Sequence, residues 1–455
     1  MVLDENHVLI LDGAMGTMLL QHGMKPGTIP ELLNLTDPDM VLDVQKSYVE
    51  AGSQIIYANT FGVNAHKLRG TGHRVKEVVL AAVSIARRAA GTHALVALDV
   101  GPLGELLEPM GTLTFEEAYS LFAEVMQVGA AAGVDLIAIE TMTDLYETKA
   151  ALLAAKENTK LPVFVTMSFD ATGRTFTGCT VASMAHTLEG LGADAIGVNC
   201  SLGPVQLEEI VRTLCRNTRL PIIAKPNAGL PDPLDGHYDL TPDAFAEAMI
   251  GLVDAGAAIV GGCCGTSPAY IRALKDAVFD RRPRPNCFKP VSFVCTPTTP
   301  LEITGVQVIG ERINPTGKKR LQQALLQQDL DYVTTLAIQQ KDAGAAILDV
   351  NVGYPGVDEV RMLPMVVKHL QAVIDIPLQL DSVNPEALEA ALRVYNGKPS
   401  VNSVNAEPSV LARLLPVIHK YGAAVIGLTM NGHDLPQDAD TRYLFAKRIL
   451  AAAQQ

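Results

Sequence analysis

The 455-residue chain has no tryptophan, few aromatic residues (5%) and few charged residues (19%). This composition fits a protein built mainly of buried strands and alanine-rich helices. An excess of positive charge is also lacking, because the formal net charge is −13. The negative charge argues against nucleic acid or an anionic membrane as the partner. A small molecule or another protein is the better expectation.

A disulfide framework is also lacking, because the seven cysteines stand at irregular spacing. Reduced thiols in the cytosol are the better interpretation. The first residues do not have the basic start and long apolar segment of a secretion signal. No apolar run approaches the roughly 20 residues that span a bilayer. We therefore expect a soluble, cytoplasmic protein.

Short apolar runs alternate with alanine- and leucine-rich amphipathic stretches up to residue 280. The eight runs are residues 8–11, 54–62, 94–99, 135–140, 161–167, 193–200, 220–225 and 257–262. They predict an α/β fold with a parallel sheet, and eight units are what a closed (β/α)8 TIM barrel needs. An open doubly wound sheet is the main alternative. The barrel is favoured because polar and reactive residues repeatedly follow the runs, and a barrel gathers those strand ends at one mouth.

A proline-rich segment, residues 281–304, has no helical period and predicts a linker between domains 1–280 and 305–455. Beyond it, five apolar runs occur at residues 306–311, 345–351, 376–382, 398–405 and 423–430. A second TIM-type barrel would need about three more units. Either the chain is a fragment, or the second domain is not a complete barrel. We expect a truncated barrel.

Three cysteines stand at the ends of predicted strands: Cys200, and the adjacent pair Cys263 and Cys264 between glycines. Neighbouring side chains on an extended strand point to opposite faces, so the pair can serve one centre only where the backbone turns. The glycines allow that turn. Three thiols predict a zinc site with one open tetrahedral position. Asn227, after the intervening strand, is a candidate fourth ligand, with the capping of a turn as its alternative role.

An open zinc ion with three thiolate ligands is a weak Lewis acid that suits a soft incoming ligand. A substrate thiol would be held there as a thiolate near neutral pH, although free alkyl thiols titrate at roughly 8.5. The pattern thus predicts an activated sulfur nucleophile. Thr266 or Ser267 is placed to cap the helix that follows the cysteine pair. The remaining four cysteines are interpreted as core or incidental residues.

The strand-end motifs of residues 1–280 resemble those of the homocysteine S-methyltransferases. These motifs are Asp12–Thr17, Asn59–Phe61, Asp99–Pro102, Glu140–Thr141, Val198–Ser201 and Gly261–Gly265. The resemblance implies zinc held by Cys200, Cys263 and Cys264, with the sulfur of homocysteine as the fourth ligand. It implies that Glu140 meets the substrate's amino group, although a salt-bridged rim carboxylate is the alternative for this residue alone. The implied substrate-binding residues are Asp12, Ala14, Met15, Asn59, Asp99, Glu140 and Thr141.

The second half resembles the pterin-binding barrel that follows the homocysteine barrel in cobalamin-dependent methionine synthases. The motifs are Gly310–Gly317, Asp349–Asn351, Leu380–Ser382 and Val401–Asn405. The implied pterin contacts are Glu311, Asn314, Asp349, Asn351, Asp381 and Asn402. Carboxylates and amides at strand ends suit the paired donors and acceptors of a pterin ring edge. The alternative is that these polar residues only make hydrogen bonds within turns.

Together the two resemblances imply methyl transfer to the zinc-bound thiolate of homocysteine from methylcobalamin, forming methionine. The second domain would bind 5-methyltetrahydrofolate as the methyl source. No stretch completes the Asp-x-His-x-x-Gly signature of a cobalamin-binding domain. We therefore expect the corrinoid on a further part of the protein or on a partner. Two alternatives are a corrinoid-independent enzyme that uses S-methylmethionine or betaine, and a non-catalytic zinc- or thiol-binding scaffold.

Overall fold

The computed structural model describes residues 7–231, 238–283, 287–432 and 435–454. The chain divides into two compact units, the first of Met1–Glu189 and Ala193–Lys289 and the second of Gly190–Gly192 and Pro290–Gln455. In the four described ranges, no helix has both the length and the apolar character needed to cross a bilayer. Three residues of the expected linker, 284–286, lie outside the described ranges.

The first unit is the predicted eight-stranded parallel barrel. Its strands are β1 (Leu9–Ile10), β2 (Ile55–Tyr57), β3 (Leu95–Val100), β4 (Leu136–Met142), β5 (Val163–Met167), β6 (Ala195–Asn199), β7 (Ile222–Lys225) and β8 (Ala257–Val260). Each strand pairs in parallel with the next one along the chain from β2 to β8, and β8 pairs with β1. A single parallel bridge between Leu11 and Ile55 joins β1 to β2. The sheet is therefore a barrel, and the open doubly wound alternative is wrong.

Helices alternate with these strands. They are α1 (Met15–Gln21), α2 (Leu33–Thr36), α3 (Pro38–Ala51), α4 (Val75–Ala90), α5 (Phe115–Ala132), α6 (Leu145–Asn158), α7 (Val181–Gly190), α8 (Pro204–Asn217), α9 (Pro242–Ala255) and α10 (Pro268–Val278), with a 3₁₀ turn at Pro30–Leu32. Their ends follow local sequence rules. In α5, the Thr114 hydroxyl accepts a hydrogen bond from the Glu117 amide, and the Glu117 carboxylate accepts one from the Thr114 amide.

Apolar side chains fill the interior of the barrel. The buried cluster contains Leu11, Ile55, Tyr57, Ala97, Leu136, Ala138, Phe164, Ala195, Ile223 and Ile259. These residues lie in or directly beside each of the eight strands. Because the interior is occupied, we expect a small molecule to bind at the residues in and after the carboxyl ends of the strands, as in other barrels of this kind.

The second unit contains a five-stranded parallel sheet. Its strands, in sheet order, are β11 (Ile309–Ile313), β12 (Ile347–Val350), β13 (Leu378–Asp381), β14 (Ser400–Asn405) and β15 (Ala424–Leu428). The helices are α11 (Lys319–Gln327), α12 (Leu330–Asp342), α13 (Glu359–Val373), α14 (Pro385–Val394), α15 (Pro408–Lys420) and α16 (Ala439–Ala453). All five predicted strands are present, and the sheet is the expected partial barrel.

The segment expected to be an irregular linker contains two short strands. β9 (Phe293–Cys295) and β10 (Pro300–Glu302) pair in antiparallel fashion. Cys295 is buried, and its backbone exchanges hydrogen bonds of 2.8 and 3.1 Å with that of Lys398. The sequence did not predict this strand pair, because its prolines indicated irregular structure. Pro300 is the first residue of β10, a position where a missing N–H is tolerated. Cys295 is therefore a core residue of the second unit.

Substitution of Gly197 by alanine tests the close packing of the barrel wall. A Cβ at this position would lie 2.0 Å from the carbonyl oxygen of Ile223 on β7. The backbone of β7 cannot move away without breaking its hydrogen bonds to β6. We therefore expect Gly197→Ala to destabilise the first unit by about 3 kcal/mol or more. Denaturant unfolding followed by circular dichroism measures this change.

Gly251, in the middle of α9, provides the matched control. Its Cβ would lie 3.4 Å from Glu208 Oε2, the end of a flexible side chain. Gly251→Ala should be neutral or should stabilise by up to about 1 kcal/mol, because alanine favours the helix. Equal stability of the two variants would contradict the described packing of β6 against β7.

Candidate metal centre and binding sites

Three cysteine sulfurs meet at the mouth of the first barrel. Cys200 directly follows β6, and Cys263 and Cys264 follow β8. The Sγ atoms of Cys200 and Cys264 are 3.9 Å apart, and all three Sγ atoms lie within 4.8 Å of one another. Each of these residues is half-buried. The structure therefore brings together the three residues that the sequence singled out.

Backbone turns at the ends of β6 and β8 aim these thiols at one point. The amide of Cys263 donates to the carbonyl of Pro226, and the carbonyl of Cys264 accepts from Ala228, at 2.8 and 2.9 Å. Gly265, with φ of +82°, completes the turn as the flanking glycines predicted. Cys200 itself has φ of 59°. A left-handed conformation is costly for a residue with a Cβ, and such strain is concentrated at functional sites.

The two predicted capping residues act differently from the expectation. Ser267 is the residue before α10, but its side chain makes no capping hydrogen bond. Thr266 donates its hydroxyl hydrogen to the carbonyl of Cys263 at 2.7 Å and accepts from the amide of Ala14 at 3.2 Å. The hydroxyl thus connects the cysteine turn to the loop after β1. The local sequence alone did not indicate this use, because Ala14 lies 252 residues away.

The thiols form a donor set that fits a soft divalent cation. Hydrogen bonds from the thiols of Cys200 and Cys263 lower the pKa of Cys264 to about 3. The pKa of Cys263 is raised well above its usual range, because its thiol forms hydrogen bonds with the sulfurs of Cys200 and Cys264. Thiolates are preferred ligands of Zn²⁺, and three protein ligands leave a fourth tetrahedral position for another group. The residues present therefore fit a zinc ion.

Asn227, the candidate fourth ligand, lies in the turn after β7. It is buried, and its backbone N–H donates to the carbonyl of Leu202 at 3.0 Å. Among the described residues, the side-chain oxygen of Asn227 has no hydrogen-bond partner. The geometry thus leaves a buried amide oxygen between the two cysteine-bearing strands. Its role as a ligand stays a prediction.

A cluster of charged residues lies at the same mouth. Lys225, the last residue of β7, places its Nζ 2.8 Å from Glu140 Oε2 and 3.7 Å from Asp12 Oδ1. The same ammonium lies 3.7 Å from the centre of the Tyr57 ring. Asp99, on β3, adds a third carboxyl group and is buried like Asp12, whereas Glu140 is half-buried. Three acidic side chains and one ammonium therefore share a region that is largely shielded from water.

Burial governs the protonation of this cluster. It raises the pKa of Asp12 to about 6, against the lowering effect of Lys225. Burial and the charge of Glu140 raise the pKa of Asp99 well above its usual range. Among the described residues, Asp12 Oδ1 and Asp99 Oδ1 have no hydrogen-bond donor. Buried oxygens without donors are costly unless a ligand supplies them.

The other predicted substrate residues lie around these groups. Met15 begins α1, and the carbonyl of Ala14 accepts from the Tyr48 hydroxyl at 3.0 Å. Thr141 has φ of 61°. The amide nitrogen of Asn59 donates to Pro30 and Asn34, at 2.9 and 3.2 Å. That side chain thus fastens the loop before α2.

Two residues that the sequence did not single out connect the predicted ones. Asn199 Oδ1 accepts from the amide of Thr141 at 2.8 Å, and Asn199 Nδ2 donates to the Thr141 hydroxyl at 2.7 Å and to Cys263 Sγ at 3.8 Å. Lys225 pairs with Glu140 as described. Asn199 stands in the motif Val198–Ser201, and Lys225 stands two residues before Asn227. Their roles depend on contacts with other strands, which a linear motif does not reveal.

A second polar cluster lies at the carboxyl ends of β12, β13 and β14. Asp349 Oδ1 accepts from Gln379 Nε2 at 2.7 Å and from Asn402 Nδ2 at 3.1 Å. Asp381 Oδ2 accepts from Asn351 Nδ2 at 2.9 Å. Four of the predicted pterin contacts are therefore brought together. Gln379 was missed, because it lies within the predicted strand, before the motif Leu380–Ser382 at the strand end.

Burial also affects this cluster. It raises the pKa of Asp349, and together with the nearby charge of Asp349 it raises the pKa of Asp381 to about 6. Asp349 Oδ2 has no hydrogen-bond partner among the described residues. The remaining predicted contacts lie on and after β11. Glu311 is exposed, and Asn314 Oδ1 accepts from the amide of Thr316 at 3.0 Å.

Solved structures of homocysteine methyltransferase MmuM from Escherichia coli resemble the first unit. The metallated form matches with a TM-score of 0.52 at 24% identity, and the oxidised form with a TM-score of 0.53 at 23% identity. Both matches cover 59% of this chain, and they cover 96% and 95% of the MmuM chains. At this level of identity, the likeness shows the fold alone.

Protein families and curated relatives cover both units. A model described as homocysteine S-methyltransferase matches residues 9–278, and one described as pterin binding enzyme matches residues 310–450. The methionine synthases of Mycobacterium tuberculosis and Mycobacterium leprae are 32% and 30% identical over 97% of this chain. The chain spans 40% of the length of each. Because the first model takes in more than half of the chain, the chain belongs to the homocysteine S-methyltransferase family.

Proposed function

We propose that this chain methylates homocysteine, which it binds by its sulfur at a zinc ion held by Cys200, Cys263 and Cys264. The observation that carries the proposal is the meeting of three thiols within 4.8 Å beside a buried carboxylate cluster. When bound, zinc supplies a positive centre that keeps a thiol ionised near neutral pH. Asn227 is the candidate fourth protein ligand in the absence of substrate.

The carboxylate cluster would bind the other end of the amino acid. The half-buried Glu140 and the buried Asp99 offer acceptors for the ammonium group of homocysteine, and the low exposure strengthens this attraction. Residues 12–17, with Ala14 and Met15, would line the substrate's backbone end. The chain's own residues thus orient the sulfur. Once the thiol has lost its proton to solvent, its sulfur would take the methyl group as the bond between that methyl and its donor breaks, and methionine is released.

The second unit would bind 5-methyltetrahydrofolate. Asp349, Asp381 and the amides of Asn351 and Asn402 form a compact set of acceptors and donors, which suits the edge of a pterin ring. Methylcobalamin is the proposed donor to homocysteine, with the folate as the source of its methyl group. The support for this arrangement is the pairing of the two family matches on one chain, and the similarity to methionine synthases.

The donor can be tested with the purified chain. Homocysteine is offered with free methylcobalamin, S-methylmethionine or betaine, and methionine is quantified by mass spectrometry. We expect methionine from methylcobalamin and none above background from the other two. Turnover with a sulfonium or betaine donor would contradict the corrinoid part of the proposal. The absence of product from all three donors would contradict the proposed activity.

Removal of one sulfur tests the metal centre. Cys200→Ser, Cys263→Ser and Cys264→Ser should each weaken zinc binding by more than the roughly 10–100-fold that loss of a ligand's hydrogen-bond partner causes. Zinc content after dialysis against a competing chelator measures this effect. Cys287→Ser is the matched control, because Cys287 is an exposed cysteine outside the cluster. Full zinc retention by the Cys200 variant would rule out the three-sulfur site.

Substitution of Asp381 tests the pterin site. Asp381→Asn should lower the affinity for 5-methyltetrahydrofolate roughly 10- to 100-fold, since it removes a hydrogen bond to a charged acceptor. Because the pKa of Asp381 is about 6, wild-type affinity should fall as the pH drops through 6 and the carboxylate is protonated. The variant should lose this pH dependence. Calorimetric titration between pH 5 and 8 measures both effects.

Asp331, an exposed residue on α12, provides the control for this test. Asp331→Asn removes one negative charge from the same unit without touching the polar cluster, so its affinity and its pH dependence should match those of the wild type. If Asp381→Asn also binds like the wild type, Asp381 does not contact the pterin.

A further inference from the structure

Lys225 is buried between the two halves of the proposed homocysteine site. It ends β7, the strand that lies between β6, which leads to Cys200, and β8, which leads to the cysteine pair. Only 3% of its side chain is exposed. Its backbone carbonyl accepts from the amide of Cys200 at 3.0 Å, and its ammonium donates to Glu140. One residue thus contacts both the thiol segment and the carboxylate cluster.

The surroundings of the ammonium are unusual for a residue that serves stability alone. Its one side-chain hydrogen bond within the described residues goes to Glu140 Oε2, and the Asp12 oxygen at 3.7 Å is beyond hydrogen-bond distance. The Tyr57 ring provides a further cation–π contact. A buried ion pair is a poor source of stability, because desolvation of both charges offsets their attraction. Its benefit is the fixed orientation of one carboxylate.

We propose that Lys225 is a positioning residue, which holds Glu140 so that its carboxylate receives the ammonium group of an amino-acid thiol. This inference rests on the proposed function. Lys225 engages Oε2 of Glu140 and leaves Oε1 for a second donor. It also offsets the charge of Glu140, while Asp12 Oδ1 and Asp99 Oδ1 have no hydrogen-bond donor among the described residues, which a cationic group would supply. The site therefore selects thiols that carry an α-ammonium over thiols that lack one.

Two substitutions and their combination test the inference. Lys225→Met keeps the apolar stem and removes the charge, and Glu140→Gln keeps the shape of its side chain and removes its charge. The dissociation constants of homocysteine and of 4-mercaptobutyrate, which lacks the amino group, are measured by calorimetry on the zinc-loaded chain. The kcat and KM for methyl transfer from free methylcobalamin are measured in parallel.

We expect Lys225→Met to raise the Kd and KM of homocysteine roughly 30-fold or more, as the loss of a partner from a buried hydrogen-bonded charge pair does. Its kcat should stay within about threefold, because the zinc-bound sulfur is unaffected. Binding of 4-mercaptobutyrate should not change. The double variant should bind homocysteine no more weakly than Glu140→Gln alone, because Lys225 acts through Glu140.

Three results would overturn the inference: unchanged homocysteine binding by Lys225→Met, equal losses for both thiols, or losses that multiply in the double variant. Wild-type protein that binds zinc but not homocysteine would instead contradict the proposed function. Folding is checked by zinc content and thermal unfolding. If Lys225→Met does not fold, Lys225→Gln, which keeps an uncharged donor toward Glu140, replaces it in the same cycle with the same criteria.

Discussion

Closure of a parallel barrel places the ends of all its strands on one rim, and the first unit depends on this constraint. Cys200 and Cys264 are separated by 64 residues, yet their sulfurs lie 3.9 Å apart because β6 and β8 flank the same strand. The carboxyl groups that follow or end β1, β3 and β4 arrive at the same rim. The apolar filling below keeps this chemistry at the mouth.

Acidic groups outnumber basic groups at the mouth of the first barrel. Three thiols and three carboxyl groups lie near one buried ammonium, Lys225. Hydrogen bonds among the thiols raise the pKa of Cys263 and lower that of Cys264. A divalent cation on the sulfur side and a substrate ammonium on the carboxylate side would each reduce the imbalance. The proposed zinc and homocysteine therefore bind where the folded chain concentrates negative charge.

The sequence predicted the fold well, because hydrophobic periodicity and the residue types at strand ends are local signals. The eight strands of the barrel, the five of the second sheet and the three converging cysteines all follow from runs and their last residues. The antiparallel strand pair at 293–302 was missed, because prolines usually indicate irregular structure. A proline is nevertheless tolerated at the first residue of a strand, where no backbone N–H donor is needed. The prediction of a helix cap at Thr266 was wrong, because its hydroxyl donates to the carbonyl of Cys263.

The contacts that organise the site were beyond the reach of a linear pattern. Lys225 and Glu140 are 85 residues apart, and Asn199 and Thr141 are 58 apart, so neither pair forms a motif. The left-handed backbone of Cys200 and Thr141 has no sequence signal either, because both residues normally avoid it. Such features depend on which strands become neighbours, and only the closed barrel determines that.

The most direct measurement of the central claim is X-ray absorption at the zinc edge, with and without homocysteine. The account predicts three sulfur neighbours and one lighter atom in the free protein, and four sulfur neighbours after homocysteine is added. An unchanged spectrum with four protein ligands, or a zinc shell with fewer than three sulfurs, would contradict it.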